Sequence, residues 1–221
     1  MRTDRLLLAT SAAAFAAFAG LARSVARRDT REQDHRLRDT LVANHGRVDR
    51  AIAELVGPLG KEWLHAPVAL LIALVLRQRG AGRRAMLPLI ASITAEVVNR
   101  VCEGTLHIRK PPPGKKERHK PSFPSGHALE TTAVALTSGY VLAREGVTPP
   151  ARSAAVAVAL AAASGGGRVY LDRHWVSDAV GGYLLGIGIA AACGALYETA
   201  AGQRSAPRRW PVGRNLQPQH G

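Results

Sequence analysis

Six uncharged, apolar runs, at Leu6–Ala22, Trp63–Leu76, Ala85–Ala95, Thr131–Ala143, Ser153–Gly167 and Ala179–Tyr197, constrain this chain more than any other feature. Hydrocarbon gives backbone amides no water to bond, so a crossing segment must close its own hydrogen bonds; a helix of about 20 apolar residues does this. Several runs fall short and extend through polar positions. The second reaches back toward Ala51, either by tolerating Lys61 and Glu62 or by breaking at Gly57-Pro58. The third continues through Glu96 and Asn99, with Glu96 and Arg100 paired one turn apart. The fourth starts from His127. Alanine-rich segments are weak hydropathy signals, so a mean hydropathy of -0.02 is compatible with six transmembrane helices. A soluble helical bundle is the alternative.

The formal net charge of +14 is carried by 25 Arg and 5 Lys. A nucleic-acid binder collects its cations on one face and interleaves stacking aromatics. Here aromatics are 5% of residues and the arginines flank the apolar runs, the pattern of a membrane protein. No nucleic-acid partner is expected. Cys102 and Cys193 fall in or beside apolar runs and suggest neither a disulfide framework nor a metal site.

Three stretches divide the chain. Residues 1–50 hold the first apolar helix and a charged segment. The run after Arg2 and Arg5 is long for a signal peptide and Ala22-Arg23-Ser24 cleaves poorly, so an uncleaved helix is expected. Across 23–50, Leu37, Leu41, Val42, His45 and Val48 recur near helical spacing. Both an interfacial amphipathic helix and a solvated linker fit. Residues 51–201 form the membrane core, and 202–221 a disordered basic tail rich in Arg, Pro and Gln. Within the core, Gly165-Gly166-Gly167 reads as a helix end whose tight turn aims Arg168. Gly182 and Gly186 have the spacing that lets two helices approach closely. Residues 104–126 form a long Pro- and cation-rich loop. With six spans, this loop and the Leu171–Trp175 turn share one membrane side.

Those two places carry the chemistry. Pro124-Ser125-Gly126-His127 precedes an apolar run, as a helix start does, and a helix N-terminus is a natural phosphate seat. Ser125 and Gly126 are candidate phosphate contacts through hydroxyl and backbone N–H. His127 is placed to protonate a leaving oxygen. Arg168, His174 and Asp178 follow in order. Read as one helix face, the spacing lets the Asp178 carboxylate bond the His174 imidazole and make its other nitrogen a nucleophile. Arg168 can clamp phosphoryl oxygens in bidentate fashion.

These residues make the chain resemble the type 2 phosphatidic acid phosphatases (PAP2), whose fold is shared with vanadium haloperoxidases. The family's P-S-G-H signature is intact at Pro124 to His127, and its S-R-x5-H-x3-D signature has Gly167 in place of Ser. The first signature, K-x6-R-P, is degraded: Arg109-Lys110-Pro111 is present, but Glu103 stands at the expected lysine. The resemblance spans roughly residues 50 to 200. It implies an all-α bundle of six transmembrane helices with a polar N-terminal interfacial segment. The implied activity is metal-independent hydrolysis of a lipid phosphate or diphosphate, without cofactor. His174 is the expected nucleophile, Asp178 its orienter, His127 the general acid, and Arg168, Ser125, Gly126 and Arg109 or Lys110 the phosphate contacts. Arg109 is favoured over Lys110 because its fork grips two oxygens.

Lys115, Lys116, Arg118 and Lys120 are expected to steer anionic headgroups. Glu130 either orients His127, receives a substrate hydroxyl or pairs with a buried cation. The implied location is the cell membrane, multi-pass, with an extracytoplasmic site; a homodimer is left open. Two other readings stand beside this one. The degraded first signature fits a catalytically weak lipid-binding or assembly component, and a vanadate-dependent peroxidase shares the anion cradle but would keep that signature and be soluble.

Overall fold

The computed structural model describes residues 3–43, 51, 53–54, 62–113 and 119–204. His45, Val48, Gly57-Pro58, Lys61, Lys115, Lys116, Arg118 and the tail from 205 on, which carried expectations above, lie outside the described residues. Seven α-helices appear among those described: α1 (Thr3–Arg27), α2 (Arg31–Ala43), α3 (Glu62–Gln78), α4 (Leu87–Thr105), α5 (Gly126–Arg144), α6 (Pro150–Tyr170) and α7 (Val176–Arg204). A 3-10 turn, Gly82–Met86, leads into α4, and Pro150 opens α6 at a position where proline's fixed φ and missing N–H cost nothing. Each of the six apolar runs is one helix, and the charged N-terminal segment adds α2. The all-α class and the bundle of apolar helices are as expected from sequence.

Residues 3–27, 82–105 and 176–202 are long and apolar enough to cross a membrane. Of the other three, α3 is apolar but short at 17 residues, and α5 and α6 are diluted by small residues that serve packing. Large apolar side chains face outward: Leu71 is 63% exposed, Val101 57% and Val158 58%. Inside are Ala69, Ala91, Ala95, Ala128 and Ala133, with Thr131, Thr132, Thr137 and Ser138. Lipid tails are as apolar as leucine, so helices in a bilayer gain by close contact between small residues rather than by burying large ones.

Helices α5 and α7 form the centre of this packing. A Cβ on Gly182 would fall 2.5 Å from the Ser125 carbonyl oxygen, and one on Gly186 would fall 2.6 Å from Thr132 Cβ. The small-residue spacing therefore does the packing read from sequence. It draws the start of α7 against the start of α5, where Ser125 N–H donates to the Asp178 carbonyl at 2.9 Å. Helix α1 runs along α7, with Ser11 Oγ donating to the Gly188 carbonyl at 2.8 Å, and Phe18 stacks on Phe123 just before the Pro124–His127 turn.

Candidate active site at the joined starts of α5 and α7

Ser125 is the N-cap of α5, in extended backbone, and its hydroxyl makes no capping bond. It is fully buried, and its Oγ has no hydrogen-bond partner among the described residues. Gly126 follows because a Cβ there would lie 2.7 Å from Asn99 Oδ1. His127 then projects toward α6. Ser164 and Arg168, one turn apart on α6, both reach it: Ser164 Oγ donates to the His127 carbonyl at 3.0 Å, and an Arg168 Nη2–H donates to His127 Nε2. Because the guanidinium can only donate, Nε2 accepts and carries no proton in this arrangement. Arg168 Nε is buried with no partner among the described residues.

The glycine triplet does not end α6. The helix continues to Tyr170, Arg168 lies in its last turn, and Gly165 instead makes room for Tyr183, whose Oη would be 2.3 Å from an added Cβ. The true helix end is a Schellman motif five residues later. Asp172 N–H donates to the Val169 carbonyl at 3.0 Å and Arg173 N–H to the Arg168 carbonyl at 2.9 Å, with Asp172 in the left-handed region at φ 55. Glycine usually takes that position. Here Arg38 of α2 grips the Asp172 carboxylate twice, at 2.7 and 2.9 Å.

This turn delivers His174 two residues before α7 begins, so His174 and Asp178 do not share a helix face. The expected bond between them is replaced by two others. His174 Nδ1 donates to the Ser122 carbonyl at 3.0 Å, while Asp178 Oδ2 stands 3.6 Å away. Asp178 occupies the third position of α7 and reaches back to accept the Trp175 N–H at 2.9 Å, the acidic half of a capping box. With Nδ1 donating, the lone pair of a neutral ring is on Nε2, the arrangement a nucleophile needs. The carboxylate acts on the ring through its field at short range.

Arg109 and Lys110 part company. Arg109 Nη1 donates to Asp34 Oδ2 at 2.7 Å and to Ser177 Oγ at 2.6 Å, its guanidinium lies over the Trp175 ring at 4.8 Å, and Asp178 Oδ1 is 3.7 Å away. Lys110 accepts the Trp175 indole N–H on its carbonyl at 3.0 Å. Its side chain lines a cavity of about 910 Å³ beyond Trp175, with Arg28, Arg31, His107, His119 and Lys120. No carboxylate side chain is among the described residues lining that cavity.

Four residues of this region escaped the sequence reading. Asp34 is 3% exposed and accepts the Ser177 N–H at 3.0 Å and the Ser177 hydroxyl at 2.7 Å. Burial pushes its pKa up, but the Ser177 N–H, Arg109 and the Ser177 hydroxyl together hold it below the ordinary 3.8. Ser122 acts through its carbonyl, which no side-chain motif records. Ser164 and His65 belong to a buried chain. His65 Nδ1 meets Glu130 Oε2 at 3.2 Å and its Nε2 meets Thr131 Oγ1 at 3.1 Å, and Thr131 Oγ1 donates to Ser164 Oγ at 2.9 Å. Glu130 therefore pairs with His65. A histidine inside an apolar run is expensive in lipid unless partnered, and that was the available signal.

The family model of the PAP2 superfamily matches residues 99–201, which contain all the candidate site residues. No curated protein sequence matches the chain. Its fold is similar to the crystal structure of the first transmembrane PAP2 type phosphatidylglycerolphosphate phosphatase from Bacillus subtilis, with a TM-score of 0.75 at 20% identity. The match covers 90% of this chain and 99% of that one.

Proposed function

We propose, on the premise that the segment 99–201 belongs to the PAP2 superfamily, that this protein is an integral-membrane phosphatase hydrolysing a lipid phosphate or diphosphate through a phosphohistidine. The observation that carries the reading is that Arg168 Nε, on the guanidinium that bonds His127, and the Ser125 hydroxyl, two residues before His127, are buried with no acceptor among the described residues. Buried polar groups are almost always satisfied, so two such donors neighbouring His127 point to an acceptor-rich ligand. A phosphoryl group supplies such oxygens, and the α5 N-terminus favours its charge.

In this reading the His174 Nε2 lone pair attacks phosphorus. The N–P bond forms as the P–O bond to the lipid breaks. Arg168 and the Ser125 hydroxyl hold the equatorial oxygens as charge spreads onto them. The phosphoryl group takes Arg168 from His127 Nε2; that nitrogen takes up a proton from solvent and gives it to the departing oxygen. Water then attacks the phosphohistidine, His127 takes its proton, and the N–P bond breaks to release phosphate. Asp178 stabilises the positive ring in both steps.

A lipid is favoured over a soluble ester by an apolar groove of about 290 Å³ between α3, α5 and α6, lined by Leu64, Val68, Val134, Leu142, Val156 and Leu160. One end of it is lined by His65 and Thr131, the latter one turn along α5 from His127, so the groove runs up to the neighbourhood of the site. The basic cavity beyond Trp175 gathers anionic headgroups at the site's membrane side, which we place outside the cytoplasm. Phosphatidylglycerol phosphate is the first substrate to try, given the relative it resembles in fold.

The commitment of Arg109 to Asp34 favours one second reading, a binding component of low activity, because the early cationic arm is then occupied. Phosphate release by purified protein from phosphatidic acid, phosphatidylglycerol phosphate and a polyprenyl diphosphate in detergent decides between them. Turnover of at least one supports the phosphatase; binding of all three without release supports the alternative.

A further inference from the structure

Two buried carboxylates share one guanidinium next to the candidate nucleophile. Arg109 Nη1 is bonded to Asp34 at 2.7 Å and lies 3.7 Å from Asp178 Oδ1. Asp34 is 3% exposed and Asp178 is 0% exposed. Asp178 Oδ1 has no hydrogen bond among the described residues, while Oδ2 is held by the Trp175 N–H, 3.6 Å from His174 Nδ1. A buried charge without water around it is costly unless matched, so which acid Arg109 matches decides how much negative field remains at His174.

We propose that Asp34 is a positioning residue that acts on His174 through Arg109 and Asp178; this rests on His174 being the nucleophile. By drawing the guanidinium to itself, Asp34 keeps Arg109 from closing onto Asp178 Oδ1. Asp178 then keeps its charge for the imidazole, which becomes positive when it is phosphorylated or protonated. The Asp34 carboxylate also accepts the N–H and hydroxyl of Ser177, a cap supplied to α7 from another helix. Helix α2 is fixed by two further contacts, Arg38 on Asp172 and the His35 ring against Trp175 at 4.8 Å. The charged group against His174 is Asp178 of α7, 3.6 Å from Nδ1. Behind it stand Arg109, 3.7 Å from Asp178 Oδ1, and Asp34 of α2. Asp172 and Arg173 come just before His174 in its own turn, and Arg168 lies in the last turn of α6.

The charge is separable from the scaffold. Asp34→Asn keeps an oxygen for the Ser177 donors and removes the negative charge. Arg109 then pairs with Asp178, and His174 loses its counter-charge. Arg109→Gln does the reverse, leaving Asp178 unopposed. The test is the His174 ring titration by nitrogen-15 NMR in purified full-length protein, with the pH profile of kcat/KM for phosphate release beside it. Relative to wild type, Asp34→Asn should move both the titration and the acidic limb to lower pH by about one unit, the scale of a nearby charge. Arg109→Gln should move the titration upward, and the double variant should match Arg109→Gln, since Asp34 acts through the guanidinium. Turnover in Asp34→Asn should fall about tenfold with KM changed less than about twofold, the size of effect that outer partners of a site produce.

A lower melting temperature and turnover with an unmoved titration would make Asp34 a structural residue only and overturn the proposal. If Asp34→Asn does not fold, Arg109→Gln alone decides by the sign of its shift. Failure of the phosphatase reading is separate: wild type would release no phosphate, or His174→Ala would keep its activity, while the NMR shifts still judge the link between Asp34 and His174.

Discussion

Arg168 donates to Nε2 of His127, so that nitrogen holds no proton until another acceptor takes the guanidinium. In the proposed mechanism, a bound phosphoryl group that draws Arg168 away lets this nitrogen take a proton, which matters most for a poor leaving group. His127→Ala should lower turnover of lipid esters by about 100-fold or more, yet cost an aryl phosphate with an acidic phenol much less, as general-acid help predicts. Equal losses on both would remove the acid role. Asp34 gives a stability prediction at the same scale. Its pKa is lowered in the folded chain, so it stabilises the fold above its ordinary 3.8 and stops doing so as pH falls through the lowered value. Melting of the detergent-solubilised protein should therefore become steeply acid-sensitive below about pH 4, and Asp34→Asn should flatten that part of the curve. A mutant curve parallel to wild type there would contradict the linkage.

Elements were legible from sequence where their signal was periodic, and misread where backbone geometry decided. The six apolar runs, the intact Pro124–His127 turn and the Gly182 and Gly186 packing face were all visible in residue types. The end of α6 was not. A glycine triplet is the usual stop signal, but here it serves helix packing, and the stop is an aspartate held in a left-handed conformation by Arg38. The bond between His174 and Asp178 was misread for the same reason: spacing one turn apart counts only inside a helix, and α7 begins at Val176. Asp172→Gly should keep the turn and lose the Arg38 clamp. Asp172→Val forces a β-branched residue to φ > 0 and should be less stable than the glycine variant by roughly 1–2 kcal/mol, measured by denaturation in detergent. Asp34 was illegible because nothing local distinguishes it from its charged neighbours; only the docking of α2 on the catalytic turn does. Gly182→Ala should be destabilising by about 1–3 kcal/mol, since its Cβ would meet the Ser125 carbonyl oxygen. Unchanged melting in that variant would mean α5 and α7 are not packed as described.

At the scale of the whole molecule, alanine, serine and threonine fill much of the interior around Leu76, Leu129 and Val141, while many other leucines and valines face outward. This distribution explains how a chain of near-zero mean hydropathy fills a membrane. The proposed chemistry uses the cations of the site in place of a metal, so chelator should leave activity unchanged and vanadate should inhibit. Loss with EDTA and recovery with Mg²⁺ would contradict it. The central claim is that His174 carries the phosphoryl group. The most direct measurement is rapid quench of purified protein with its best lipid phosphate, followed by peptide mapping under alkaline conditions that preserve phosphohistidine. An acid-labile phosphoryl group on the peptide containing His174, absent from His174→Ala together with all turnover, is the predicted result. Turnover that survives in His174→Ala, or a phosphoryl group trapped on another residue, would contradict the account.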